Sequence, residues 1–110
     1  MEPWREAVGA YSRLQTPLWH RVFLTRDRWR QIIRFKHPAL AGYESDVRAC
    51  LATPSLVRES AKDADVHLYY ATAEHVHLCV VTLPAGADER FVVTAYFTKN
   101  IKPGNELWKS

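Results

Sequence analysis

The reactive side chains of this chain fall into a short ordered set. His37, followed by Pro38, closes a basic stretch; Arg58-x-Ser60 opens an extended run that leads to Tyr69; and Thr94, Tyr96 and Thr98 alternate near the C-terminus. An imidazole takes or gives a proton near neutral pH. A guanidinium can hold a phosphate through two parallel hydrogen bonds, and hydroxyls can stabilise charge that develops on oxygen. These groups suit phosphodiester cleavage in RNA, where the ribose 2′-hydroxyl attacks its neighbouring phosphorus and the protein supplies proton transfer and cationic stabilisation. In that scheme His37 is the base or acid and Arg58 the phosphate clamp. Ser60, Thr94 and Thr98 donate hydrogen bonds, and Tyr69 or Tyr96 stacks on a base or donates a proton. The route calls for no metal and no cofactor. Each feature also has a plainer reading: an imidazole beside Pro38 suits a helix C-terminus, and hydroxyls on one strand face suit solvent.

The charge distribution points the same way. The net charge is only +3, yet Arg21, Arg26, Arg28, Arg30, Arg34 and Lys36 face a single acid, Asp27, between positions 21 and 37. Positions 61–110 are balanced, with five Lys or Arg against six Asp or Glu. Clustered cations are the footprint of a polyanion binder, although a solvated helix face has the same composition. Arg28, Arg30, Arg34, Lys36, Tyr96 and Lys99 are the candidate RNA contacts.

The elements that must position these residues follow from periodicity. With 110 residues, 47% apolar and 25% charged, the chain makes one globular domain, read as soluble and cytoplasmic with no membrane partner. Met1 to Gln15 carries a weak helical pattern (Trp4, Val8, Tyr11, Leu14) and reads as a docked helix or, over 1–17, a flexible arm. Leu18 to Leu24 is extended. Thr25 is placed to cap a helix over 26–36, with Trp29, Ile32 and Ile33 inward, and Pro38 ends it. A second helix starts between Tyr43 and Ser45, buries Val47, Cys50 and Leu51, and stops before Pro54. Four strand patterns follow, at 56–61, 66–71, 76–82 and 90–98, with connections short enough for an antiparallel meander. The expected fold is therefore α+β: two N-terminal helices, or three with the leading segment, packed on one face of a four-stranded antiparallel sheet.

Alternation along the last strand puts Phe91, Val93, Ala95 and Phe97 against the helices and Val92, Thr94, Tyr96 and Thr98 on the other side. A turn centred on Asp63-Ala64 would pair Ser60 with His67 and Arg58 with Tyr69. Arg58, Ser60, His67 and Tyr69 would then share the open face with the hydroxyl row, with Val57, Leu68 and Tyr70 in the core.

The ordered set His37-Pro38, Pro54 with Val57-Arg58-Glu59-Ser60, Leu68-Tyr69-Tyr70 and Val92-Val93-Thr94-Ala95-Tyr96-Phe97-Thr98 resembles the barnase, EndoU, colicin and RelE-like nuclease superfamily, and looks closest to its phage-associated branch. The resemblance covers roughly residues 20 to 108. It implies two helices before a four-stranded antiparallel sheet and a metal-independent ribonuclease (hydrolase) site on the open sheet face. It also implies a toxin or phage-associated effector, with a cognate antitoxin or immunity protein as partner. The alternative is an inactive RNA- or protein-binding module of the same fold.

His75, His77 and Cys79 alternate on one strand face, a conceivable zinc arrangement, but Leu78 and Val80 beside Cys79 argue for a buried thiol.

Overall fold

A computed structural model describes the backbone of residues 11–110 and the side chains from Thr16 onward. Its centre is a mixed seven-stranded sheet in the order β1-β2-β6-β5-β4-β3-β7. The strands are β1 (Tyr11–Gln15), β2 (Arg21–Thr25), β3 (Leu56–Ser60), β4 (His67–Ala73), β5 (Val76–Gly86), β6 (Glu89–Thr98) and β7 (Gly104–Lys109). Between β2 and β3 lie helix α1 (Arg26–Gln31), a π-helical turn (Ile32–Lys36), a 3-10 turn (Pro38–Leu40) and helix α2 (Glu44–Ala52).

This corrects the expected architecture. The sheet has seven strands rather than four, and β2 runs parallel to β6, so it is not purely antiparallel. The helices are mid-chain rather than N-terminal. Tyr11 to Gln15, read as part of a helical pattern, is the edge strand β1; the rest of that segment, residues 1–10, lies outside the described residues. β3 to β6 do form an antiparallel meander, but as four strands of the seven. β7 lies where Lys102-Pro103-Gly104-Asn105 reads as a stop. Gly104 permits its pairing with β3, because a Cβ there would stand 1.9 Å from the Glu59 carbonyl oxygen.

The helical stretch follows its local signals. The Thr25 hydroxyl accepts from the Arg28 amide at 3.1 Å, and Asp27 sits in the first turn where it suits the dipole. The His37 amide bonds the Ile32 carbonyl at 2.7 Å, a widened turn that ends just before Pro38.

The main core lies on the inner face of the sheet, where Trp29, Ile32, Leu40, Val47, Cys50 and Leu51 meet Val22, Leu24, Val57, Tyr69, Leu78, Val80, Val92 and Ala95. Alternation along β6 is broken by a bulge: Val81 pairs with Thr94 but Thr82 with Val92, which leaves Val93 as the extra residue. Val92, 1% exposed, therefore takes the core place expected of Val93. The segment Thr16 to His20 crosses the same face, where Thr16, 2% exposed, hydrogen-bonds the Tyr69 hydroxyl at 3.1 Å.

No helix among the described residues is long and apolar enough to cross a membrane.

Candidate functional site

The outer face of the sheet is built from rows of cross-strand neighbours. Arg58, Leu68, Val81 and Thr94 form one row, Leu56, Tyr70, Cys79 and Tyr96 the next, and Thr72, His77 and Thr98 a third. The face is not bare: after β6 the chain turns back, and Ile101 packs on the small apolar cluster of Leu56, Leu68, Tyr70 and Cys79.

Lys102 follows and organises the polar groups. Its carbonyl accepts from Arg58 Nη1 at 3.0 Å, its amide donates to the Tyr70 hydroxyl at 3.1 Å, and its Nζ lies 5.6 Å from the centroid of the Tyr96 ring, a cation–π position. β2 pairs with β6 only from Glu89 to Phe91, so the helical segment flanks the rest of that edge, and the His37 ring reaches the Tyr96 ring at 5.6 Å. The widened helical turn thus delivers an imidazole to the rim of the outer face.

Among the described residues, three atoms on this face are buried without a strong hydrogen-bond partner: Arg58 Nε and Thr94 Oγ1, which have none, and the Tyr96 hydroxyl, which meets only the weakly accepting Cys79 thiol. Buried polar groups are nearly always satisfied, so three under-bonded atoms on one face mark a place where a polar ligand would complete the bonding. Arg58 forms no ion pair with a described residue. Burial pushes the Tyr70 phenol up to about 12; burial, and then the neighbouring Cys79 thiol, raises Tyr96 as well. Both phenols therefore stay protonated and can donate. The Cys79 thiol is raised by burial, which makes it a poor nucleophile.

The expected site residues do not all meet here. Arg58, Thr94 and Tyr96 share the outer face with His37 at its rim; Lys102 links Arg58 to Tyr96, while Arg58 and Thr94 stand at opposite ends of one row, three strands apart. Tyr69 is not on that face: Glu59 pairs with His67, Arg58 with Leu68 and Val57 with Tyr69, one residue out of the expected register. The Ser60 hydroxyl accepts from the Lys62 amide and the Asp63 carboxylate from the Asp65 amide, so the loop spans 61–66 rather than turning at Asp63-Ala64. A one-residue slip exchanges faces. Tyr69 and His67 lie on the inner face and Tyr70 on the outer, and Tyr69 is fully buried. Ser60 and Thr98 are on the expected face, but the Thr98 hydroxyl, like that of Ser60, is engaged locally, through both the amide and the carbonyl of Asn100.

The basic segment lies on the helical side of the sheet. Arg30 pairs weakly with Asp27 at 3.9 Å, Arg34 lies over the Phe35 ring at 5.4 Å, and Arg34 and Lys36 are exposed; Arg28 is half-buried and Lys99 exposed beyond β6. Only His37 carries this segment to the outer face.

Two contributors are missing from the sequence reading. Tyr70 reads as core only because of the assumed register, and Lys102 is hidden in a stop signal. His75, His77 and Cys79 do not gather: Cys79 is fully buried, His77 bonds the Thr72 hydroxyl at 3.0 Å, and no group of three His, Cys, Asp or Glu among the described residues is placed to hold a metal ion. An apolar groove of about 640 Å³ between α2 and the sheet, lined by Tyr43, Cys50, Ala71, Leu78 and Phe97, has Asp46 as its one charged wall residue. It offers an anion nothing.

No family model, curated protein or solved structure matches the chain.

Proposed function

We propose that the outer face binds an RNA phosphodiester and cleaves it by attack of the 2′-hydroxyl. The observation that carries this reading is the set of three under-bonded polar atoms on one face, Arg58 Nε, Thr94 Oγ1 and Tyr96 Oη, with Lys102 between Arg58 and Tyr96 and His37 against the Tyr96 ring. A phosphate oxygen accepts from Arg58 and from the protonated Tyr96 phenol, while Thr94 donates to a second oxygen. His37, at the rim, takes the 2′-hydroxyl proton; Lys102 or Tyr96 gives a proton to the leaving 5′-oxygen. The bond from O2′ to phosphorus forms as the bond to O5′ breaks, leaving a cyclic phosphate and a 5′-hydroxyl. No step needs a cofactor. Arg30, Arg34, Lys36 and Lys99 extend the basic surface round the β6 edge for neighbouring phosphates.

The resemblance to the barnase, EndoU, colicin and RelE-like nucleases belongs to this proposal, as does a toxin or phage-associated role with an antitoxin or immunity protein covering the face. A cytoplasmic location suits two buried free thiols. The turn-bound hydroxyls of Ser60 and Thr98 favour a second reading, a module that binds RNA without cleaving it.

The test is purified protein with RNA in the presence of chelator. Cleavage to cyclic phosphate ends, lost in Arg58→Ala and His37→Ala, supports the enzyme. Salt-sensitive binding without cleavage supports the module, and salt-independent affinity for RNA overturns phosphate recognition altogether.

A further inference from the structure

A second group of titratable side chains lies on the inner face, at the end of the sheet opposite the α2 groove, and the chemistry proposed above does not use it. At its floor is Arg90, 5% exposed. Its Nε donates to the Thr82 hydroxyl at 2.9 Å, and its Nη2 to the carbonyls of Thr82, at 3.0 Å, and of Asp65. All three acceptors are neutral, and Arg90 forms no ion pair with a described carboxylate. A guanidinium this deep is ordinarily matched by an anion.

The groups around it are two imidazoles and, farther out, three carboxylates: Glu59, the cross-strand neighbour of His67 whose side chain accepts from the Asn105 amide, and Asp65 and Asp88. His20, which ends the segment crossing this face, and His67, at the start of β4, have ring centroids 5.7 Å apart. The Nδ1 atom of each is buried and has no hydrogen-bond partner. Burial first, and then the charge of Arg90, lowers both imidazoles, with His67 brought down to about 4 and Asp88 partly opposing the effect on His20. Tyr69 and Asp65 act on Arg90 through space, and the Tyr69 hydroxyl is already bonded to Thr16. At neutral pH the site therefore holds one fixed cation and two uncharged imidazoles that can take up protons. Arg90 as a staple between the 61–66 loop and β5 explains its own three bonds but not the two orphaned imidazole nitrogens.

We propose that Arg90, His20 and His67 form a binding site for a phosphate oxyanion. Arg90 is the buried floor and the half-buried imidazoles form the mouth, charging as the anion enters. Beside His20, Trp19 is 78% exposed and held at φ 64°, a left-handed conformation that a bulky side chain rarely adopts. It stands at the rim, where its ring can stack on a base when the phosphate belongs to a nucleotide.

The test uses the full chain carrying Arg58→Ala, which weakens the outer face, and reads binding at His67 itself, on the opposite face. Histidine resonances are followed across pH with inorganic phosphate in one arm and a 2′-deoxy dinucleoside monophosphate in the other, each against chloride at matched ionic strength. In at least one arm the His67 pKa is expected to rise saturably from about 4 by about one pH unit or more, a tenfold coupling between anion and proton. The same anion should raise Tm at pH 6, and His67→Gln should abolish that rise. A response to phosphate alone assigns the site to a free phosphate or monoester, and a response to the dinucleotide assigns it to a nucleic-acid backbone. If neither arm moves His67, or if the rise in Tm survives His67→Gln, the site is wrong, whatever RNA does on the outer face.

Discussion

The two faces of the sheet each centre on an arginine, and they hold it differently. Arg58 is half-exposed and bonds one carbonyl, that of Lys102, with Nε left unpaired. Arg90 is nearly fully buried and bonds three acceptors on two segments. One is a cation held by a single bond, the other a cation fixed in place as the floor of its site. A guanidinium is therefore read as clamp or staple from the number of its fixed bonds and from what remains unsatisfied nearby, not from its charge.

The sharpest way to break this contrast is to remove each arginine in turn. Arg90→Ala is expected to destabilise the fold by about 3 kcal/mol, because the acceptors on Thr82 and Asp65 lose their donor; a denaturant midpoint equal to wild type would show that the staple is idle. Arg58→Ala should lower RNA cleavage roughly a hundredfold, about 2.7 kcal/mol of barrier, while stability changes by less than about 1 kcal/mol. Equal activity would remove the clamp from the outer face.

Acid separates the faces next. His20 and His67 have folded pKa values below the unfolded value, so between pH 6.5 and about 4 the unfolded chain binds more protons. Stability that is fully present above pH 6.5 is lost as pH falls through this window, by about 1–2 kcal/mol once partial solvent access is allowed for. Denaturant unfolding at pH 7 and pH 4.5 measures the loss. In His67→Gln the loss should shrink, and an unchanged slope would clear this imidazole.

A smaller effect tests the under-bonded atoms. Tyr96→Phe deletes a buried hydroxyl whose one neighbour is the weakly accepting Cys79 thiol, so stability should change by less than about 1 kcal/mol while RNA binding weakens. A clear loss of stability would mean that the hydroxyl already has a structural partner. Thr98→Ala should be milder still, within about 0.5 kcal/mol in stability and about twofold in cleavage, since its hydroxyl serves the turn at Asn100.

Local signals were readable and distant ones were not. Thr25 and Pro38 bracket the first helical segment because a cap and a missing amide act within one turn. The burial of Val47, Cys50 and Leu51 follows from helical spacing in α2. The edges of the sheet were out of reach. Tyr11 to Gln15 has no strand signal of its own and is extended because β2 lies beside it, while β7 depends on Gly104 meeting Glu59 from across the chain. Of the expected site, the residues placed by strand alternation alone, Arg58, Thr94 and Tyr96, do share the outer face. Tyr69 was misplaced by one residue of loop length, set by the side chains of Ser60 and Asp63. Lys102 came from a segment whose composition says only that a strand has ended.

The parallel pairing of β2 with β6 sets an order of events for a nascent chain. Arg21 waits for Glu89, so β2 leaves the ribosome with only β1 to pair with until the start of β6 has followed. The outer face waits longer, since Arg58 meets its partner only at Lys102. Whatever that face does begins only after Lys102 has emerged to close it.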